Sequence, residues 1–309
     1  MPPRRWDRRS DPGTALDGRT AAVDATGRAI DAGARSSGLD RALGRLGSVT
    51  LSDLLDAAEL LTRVDRKYLV HESVLVELIE RLDPRVRVLE IDGARTFGYA
   101  SMYFDTPDLV SYHEHAKVRP KRFKVRTRAY LDSGTCALEV KTRDPRGLTV
   151  KERVPHALDD RDVLTDEGRT FVAGFEHAAR HVDRLVPALR TTYRRATLLL
   201  SPDERATLDT GLSFELPDGP RLRAGSWAVV ESKSSGHPTE LDRVMWALGH
   251  RPVLFSKYAV GSALHRPDLP AHRWHRVLHR DLGRSSPGTW PLTRAGSSPT
   301  SDRSSTLAP

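Results

Sequence analysis

The sequence predicts a mainly antiparallel α+β fold. A few helices flank its strands. Three observations carry this. Most of the middle of the chain alternates with period two rather than 3.6. Many of those strands place charges at every second position, as in KRFKVRTRAY, where Arg122, Lys124, Arg126 and Arg128 share one face against Phe123 and Val125. Short turn signals, GTC at 134–136 and DPRG at 144–147, join neighbouring strands as hairpins.

Residues 1–48 are rich in Arg, Asp, Gly and Ala without periodicity and are expected to be a disordered tail. Residues 283–309 are rich in Ser, Pro and Gly and are expected to be a second one. The folded domain is expected over 49–282. It opens with an apolar stripe, Leu51, Leu54, Leu55, Ala58 and Leu61, that predicts a helix. Strands are expected near 63–70, 96–105, 110–117, 121–131, 136–143, 148–154, 190–200, 205–210, 226–233 and 255–259. A second helix is expected over 72–82, a third over 169–185 and a fourth over 239–250. The fourth has Thr239 and Asp242 in capping-box spacing and Gly249 as its stop. A basic amphipathic stretch, HRWHRVLHRDL, closes the domain, and its histidines are expected at the surface.

The 309 residues carry a net charge of +8, so an acidic partner is expected. The single cysteine, Cys136, excludes an internal disulfide and any multi-cysteine metal site. No apolar run is long enough for a membrane helix, and the N-terminus has no apolar core of a secretory signal. A cytoplasmic protein is expected.

A charged strand face usually meets only water. Here the pattern recurs: Asp65 and Lys67, then Glu139, Lys141 and Arg143, then Lys151 and Arg153, then Arg205 and Asp209, then Glu231 and Lys233. If the sheet closes, these faces line one interior, and an interior rich in Lys and Arg calls for an anion. A chain of phosphates fits, with carboxylates left to hold a divalent metal. Within the strand of Arg122 and Lys124, those two are expected at a solvent-exposed entrance. Asp105 is expected as a structural turn acid, Asp209 as a possible partner of Arg205, and Cys136 as an inert strand residue.

The ordered set RVDRKYLV, MYFDT, VRTRAY, LEVKTRD, KERV, TTYRR, RATLDT, VVESKS and FSKYAVG, over about 60–261, resembles the VTC-type polyphosphate polymerase branch of the triphosphate tunnel metalloenzymes, a CYTH-like superfamily. The resemblance implies a closed or nearly closed eight-stranded β tunnel with a charged interior and a few flanking helices, and transfer of the ATP γ-phosphoryl group onto inorganic polyphosphate with Mn²⁺ or Mg²⁺. It places Lys67, Arg126, Arg128, Lys141 and Lys151 as catalytic residues on the phosphates. It places Arg195, Arg205, Ser256, Lys257 and Lys233 as further phosphate ligands, and Glu231, with Glu139 as a weaker candidate, on the metal. Where the CYTH branch has ExExK, this chain has Arg63, Asp65 and Lys67, which favours the VTC branch over cyclase or thiamine triphosphatase chemistry. A triphosphate hydrolase on the same fold and a non-catalytic polyphosphate-binding module are the alternatives. Glu139 and Lys141 also have the ExK spacing of a nuclease with Asp132 as its acid, but that leaves the other cationic strands unexplained. Nucleic acid is not expected, because few aromatics accompany the cations.

Overall fold

Period-two alternation becomes sheet over most of its length. The computed structural model describes residues 38–56, 64–143, 147 and 149–282. The elements are α1 (Gly38–Gly44), β1 (Gly47–Val49), α2 (Leu51–Asp56), β2 (Val64–His71), α3 (Glu72–Arg81), β3 (Arg87–Leu89), β4 (Phe97–Asp105), α4 (Val110–Ala116), β5 (Arg122–Tyr130), β6 (Thr135–Arg143), β7 (Thr149–His156), α5 (Asp166–Ala173), α6 (Glu176–Ala179), β8 (Val186–Ser201), β9 (Glu204–Glu215), β10 (Arg221–Arg223), β11 (Trp227–Ser234), α7 (Glu240–Ala247) and α8 (Lys257–His265). Single 3-10 turns at Val182–Arg184 and His272–Trp274 and a π turn at Val277–Asp281 complete the order.

Eight strands pair in the order β2-β11-β9-β8-β4-β5-β6-β7, all antiparallel. Short β1, β3 and β10 attach at the side, β1 and β3 in parallel. Among the described residues the two end strands, β2 and β7, do not pair with each other. The expected mainly antiparallel sheet is present, and of the expected closed or nearly closed tunnel the closed form is not made, because hydrogen bonds do not close the sheet among the described residues.

The sheet buries apolar residues on the face opposite the charges and, beneath α8, on the charged face as well. In β5, Phe123, Val125, Thr127 and Ala129 are buried while Lys124, Arg126 and Arg128 alternate with them. Phe123 and Val125 join Leu138, Val140, Leu164 and Val172 in a core under α5 and α6. A second core sets α1, α3 and α7 against Tyr68 and Val70 of β2 and Ala228 and Val230 of β11. A third includes the side chains of α4, α8 and the C-terminal turns, with Tyr103, Tyr193, Leu69 and Val229 from the sheet. Leu69 and Val229 have the strand parity of Lys67 and Glu231, so α8 packs on the same face as the charges and fills part of it. Gly261 makes this approach possible: a Cβ there would lie 2.5 Å from Phe214 and 2.7 Å from Leu189.

Several expectations change. The stretch 110–117 is helical. Asp105, fully buried, accepts from the backbone N–H groups of Thr106 (2.8 Å), Ser111 (2.9 Å) and Tyr112 (2.9 Å) and from the Tyr258 hydroxyl, which fixes the first turn of α4. Asp105 is thus the structural acid expected of it. The stretch 255–259 starts α8, because Ser256 caps the helix by accepting from Ala259 N–H. The third expected helix breaks into α5, α6 and a 3-10 turn. Folded structure begins at least by Gly38, because Ala42 and Leu43 of α1 are buried; the expected boundary at 49 was too late. The capping box of Thr239 and Asp242 is present. Residues 57–61 of the first expected helix, Arg63, the turn residues 144–146, and the two expected tails apart from α1 and β1 lie outside the described residues.

Candidate functional site: a cationic cavity on the charged face

The charged strand faces enclose a cavity of about 450 Å³. Nine Lys or Arg side chains line it against three carboxylates. Its walls differ in how their charges are balanced.

The first wall is β5–β6–β7. Register puts Lys124 opposite Lys141, and Lys141 opposite Lys151. Like charges directly opposite one another repel, and this row holds three lysines side by side. One row along the strands, Arg126 faces Glu139. Glu139 is 2% exposed and sits among three cations: Arg126 donates through Nε (2.8 Å) and Nη2 (2.6 Å), Lys151 through Nζ (3.0 Å), and Arg128 approaches to 3.5 Å. Burial pushes the Glu139 carboxyl up, but Arg126, Arg128 and Lys151 outweigh it and hold it well below the usual range. The Tyr103 hydroxyl accepts from Arg126 Nη1 at 3.0 Å.

The second wall is β8–β9 with the start of α8. Arg195 grips Asp209 with both arms, Nε to Oδ1 at 2.6 Å and Nη2 to Oδ2 at 2.8 Å, and Lys257 donates to the same Oδ2. Asp209 is fully buried, so it sets the positions of two cavity cations from behind. Arg195 also lies over the rings of Tyr99 (5.3 Å) and Tyr193 (5.2 Å), and Lys257 over Tyr193 (4.3 Å). Ser256 and Lys257 stand at the N-terminus of α8, whose dipole adds partial positive charge there.

The third wall is β2–β11. Lys67 and Lys233 both donate to Glu231 Oε1, at 2.9 and 2.5 Å, and Lys233 reaches to 4.0 Å from Asp65. Burial raises the Glu231 carboxyl, and Lys233 and Lys67 more than reverse this.

Lys124 links the walls by donating to Ser256 Oγ at 3.0 Å. Its ammonium is pushed down to about 7, by burial first and then by Lys141, Arg126 and Lys67. Lys151 is pushed down to about 8 by burial, against the pull of Glu139. His115, which also lines the cavity, is pushed down to about 2 by burial and by Lys124 and Arg273.

Of the residues singled out by sequence, Lys67, Arg126, Arg128, Glu139, Lys141, Lys151, Arg195, Glu231, Lys233, Ser256 and Lys257 all line this one cavity. Arg205 does not. It stands opposite Lys233, in the same row as the lining residues Lys233 and Asp65, near the start of β9, so strand parity and row placed it beside the site but not in its lining. Lys124 lines the cavity instead of standing at a solvent-exposed entrance; its parity with Arg126 was the available signal. Arg122 bonds the Arg119 carbonyl at 2.8 Å and is not in the lining. Asp209 pairs with Arg195 and Lys257 rather than Arg205. Tyr103, Tyr193 and His115 were missed, because aromatic residues in strands and a histidine in an expected strand read as core. Asp132 accepts from Gly98 N–H at 2.5 Å in a turn, which removes it as a nuclease acid.

Among the described residues no group of three or more His, Cys, Asp or Glu gathers as a metal centre. Lys67 and Lys233 both take Glu231 Oε1, but Glu231 keeps Oε2, and with Asp65 on the adjacent strand it fits a divalent ion that completes its shell with oxygens of a ligand. Glu139 does not, because three cations already occupy its oxygens.

No curated protein matches the chain. Among solved structures it is similar to the PH1819 protein of Pyrococcus horikoshii OT3, at 14% identity over 66% of this chain and 98% of that one, with a TM-score of 0.39. It is also similar to a putative adenylyl cyclase, HpAC1 from Hippeastrum, described as having a dominant triphosphatase activity, at 16% identity over 65% and 95% of the two chains, with a TM-score of 0.37. Residues 62–266 match the family model of the VTC domain. That span is well over half of the sequence and takes in every strand that lines the cavity, and the chain belongs to the VTC domain family.

Proposed function

We propose that this chain is a cytoplasmic ATP-polyphosphate phosphotransferase that moves the γ-phosphoryl group of ATP onto inorganic polyphosphate inside the cationic cavity. The observation that carries this reading is the row Lys124–Lys141–Lys151, three lysines placed side by side in one face of the sheet. Glu139 balances Lys151, and a linear polyanion lying across the row relieves the repulsion that remains. Among the described residues no helix is long and apolar enough to cross a membrane.

Phosphoryl transfer asks a protein mainly to position and to neutralise charge. Arg126, Arg128, Lys141 and Lys151 would hold the nucleotide phosphates, with Glu139 fixing the first two guanidinium groups. Lys67, Lys257 and Ser256 would align the acceptor chain, supported by Arg195 and Lys233. The terminal oxygen of polyphosphate attacks the γ-phosphorus in line, the bond to the β-bridging oxygen breaks, and ADP leaves. No side-chain nucleophile is required. Glu231, with Asp65, would hold Mn²⁺ or Mg²⁺, which offsets phosphate charge when bound.

The test is the full chain with γ-labelled ATP and Mn²⁺ or Mg²⁺, with and without a short polyphosphate primer. Label is expected in long polyphosphate. Label in free phosphate alone would replace the polymerase by a triphosphatase, and no product despite tight polyphosphate binding would leave a binding module.

A pH effect follows from the lysines. A bound anion favours their charged forms, so the complex holds more protons than the free protein near neutral pH. Triphosphate binding at pH 7.5 is therefore expected to take up protons, and the protein's contribution to affinity to fall as pH rises through 7 to 8. Titration calorimetry in buffers of different ionisation enthalpy reads the net proton balance; the ligand's own ionisation is common to both proteins, so the unaltered protein is expected to take up more protons than Lys124→Met, and an equal balance in the two would contradict it.

A further inference from the structure

The rows of β5 and β6 do not stop at the cavity. One row past Lys124 and Lys141, Arg122 stands opposite Arg143. At the other end of the same strands the corresponding row is Tyr130 and Thr135, which carries no charge. Arg273 joins the arginine end: it donates to the carbonyl of cavity-lining His115 at 2.8 Å, and the Arg122 guanidinium is lowered by burial first and then by Arg143 and Arg273. Trp274 stacks on His115 at 5.4 Å and is 1% exposed, which fastens the C-terminal turns at this rim. Arg276 and Arg280 follow Arg273 at three and seven residues, on one face of those turns, and both are exposed, with exposed His272, His275 and His279 around them. Among the described residues Arg122, Arg143, Arg273 and Arg276 make no ion pair, and Arg280 reaches only Asp281, at 3.8 Å. This segment lies beyond the family match, which ends at 266.

We propose that Arg122, Arg143, Arg273, Arg276 and Arg280 form a collar that receives polyphosphate as it leaves the cavity, so that long chains stay bound. The inference rests on the reading of the cavity given above. The lining rows from Lys124 to Arg128 span about 13 Å of strand, so a long chain must emerge past a rim. The Arg122–Arg143 row attracts a polyanion, and the Tyr130–Thr135 row at the other end of these two strands carries no charge to do so. The occupant is a thin polyanion rather than nucleic acid or membrane. Trp274 is buried and offers no stacking platform. Val277, Leu278 and Leu282 are buried and offer no apolar face to lipid.

The test titrates the full chain and its Arg143→Ala/Arg276→Ala/Arg280→Ala variant, all exposed positions, with triphosphate and with long-chain polyphosphate. The unaltered protein is expected to bind the long chain at least about tenfold tighter per chain, from added charge contacts in the same ligand. The variant is expected to lose most of that preference and keep its triphosphate affinity. A length preference that survives in the variant overturns the collar alone, and so does loss of triphosphate binding with it, which would assign these arginines to the fold or the cavity. Binding of single-stranded DNA or anionic vesicles as tightly as long polyphosphate, through the same arginines, overturns it too. Failure of the unaltered protein to bind triphosphate overturns the cavity reading first.

Discussion

Lys124→Met makes the ligand-free protein more stable while weakening its site. Lys124 is half-buried, faces Lys141 across the sheet, and has Arg126 one row away. Methionine fills the same volume without the charge. It forfeits the bond to Ser256 Oγ, worth about 1 kcal/mol, and removes a repulsion larger than that. The expected net gain is about 1–2 kcal/mol, or about 2–8 °C in Tm for a domain of this size. The sign of its pH dependence is fixed. The folded-state ammonium is pushed down to about 7 from 10.5, so between those values the unfolded chain binds the extra proton. The penalty is full below pH 7 and absent above 10.5, and the gain in Tm is therefore larger at pH 6 than at pH 9. A Tm that falls at pH 6 would contradict the cationic-row argument.

Glu139→Gln acts in the opposite direction. It removes the buried carboxylate from between Arg126, Arg128 and Lys151 and leaves three cations facing one another. Breaking a buried ion pair from one side costs about 3–5 kcal/mol, so a fall in Tm of about 6 °C or more is expected. Triphosphate supplies the missing negative charge. Saturating triphosphate is therefore expected to raise the Tm of Glu139→Gln by more than it raises that of the unaltered protein, narrowing the gap between them. Equal shifts in both proteins would mean that Glu139 does not organise the cations of the site.

The contrast between these two residues shows what the sequence carried. Alternation in KRFKVRTRAY placed Lys124, Arg126 and Arg128 on one face, and the sheet keeps them there. Alternation is local, and it fixes which side of a strand a residue takes. It does not fix how far along the strand the site extends, so Lys124 was left out, nor which side chains of a shared row reach the site, so Arg205 was counted in beside Lys233. Nor does it report pairing between strands distant in sequence. Asp209 meets Arg195 through the β8–β9 register and Lys257 only because α8 docks on the charged face. The two segments read as strands that proved helical, 110–117 and 255–259, were decided by tertiary contacts. Asp105 holds the start of α4 from a neighbouring strand, and Gly261 lets α8 approach Phe214 and Leu189. The open edge between β2 and β7 was equally invisible, because repeated charge on one face looks the same in a closed barrel and in a curved open sheet.

The central claim is that the cavity binds a chain of phosphates. Titration calorimetry of triphosphate into the full chain at physiological salt, with sulfate as the comparison anion, measures it most directly. The account predicts saturable one-site binding of triphosphate, far tighter than sulfate and at least about tenfold weaker in Lys124→Met, the loss of a charge-assisted contact. Triphosphate binding no tighter than sulfate, or unchanged in Lys124→Met, would contradict it.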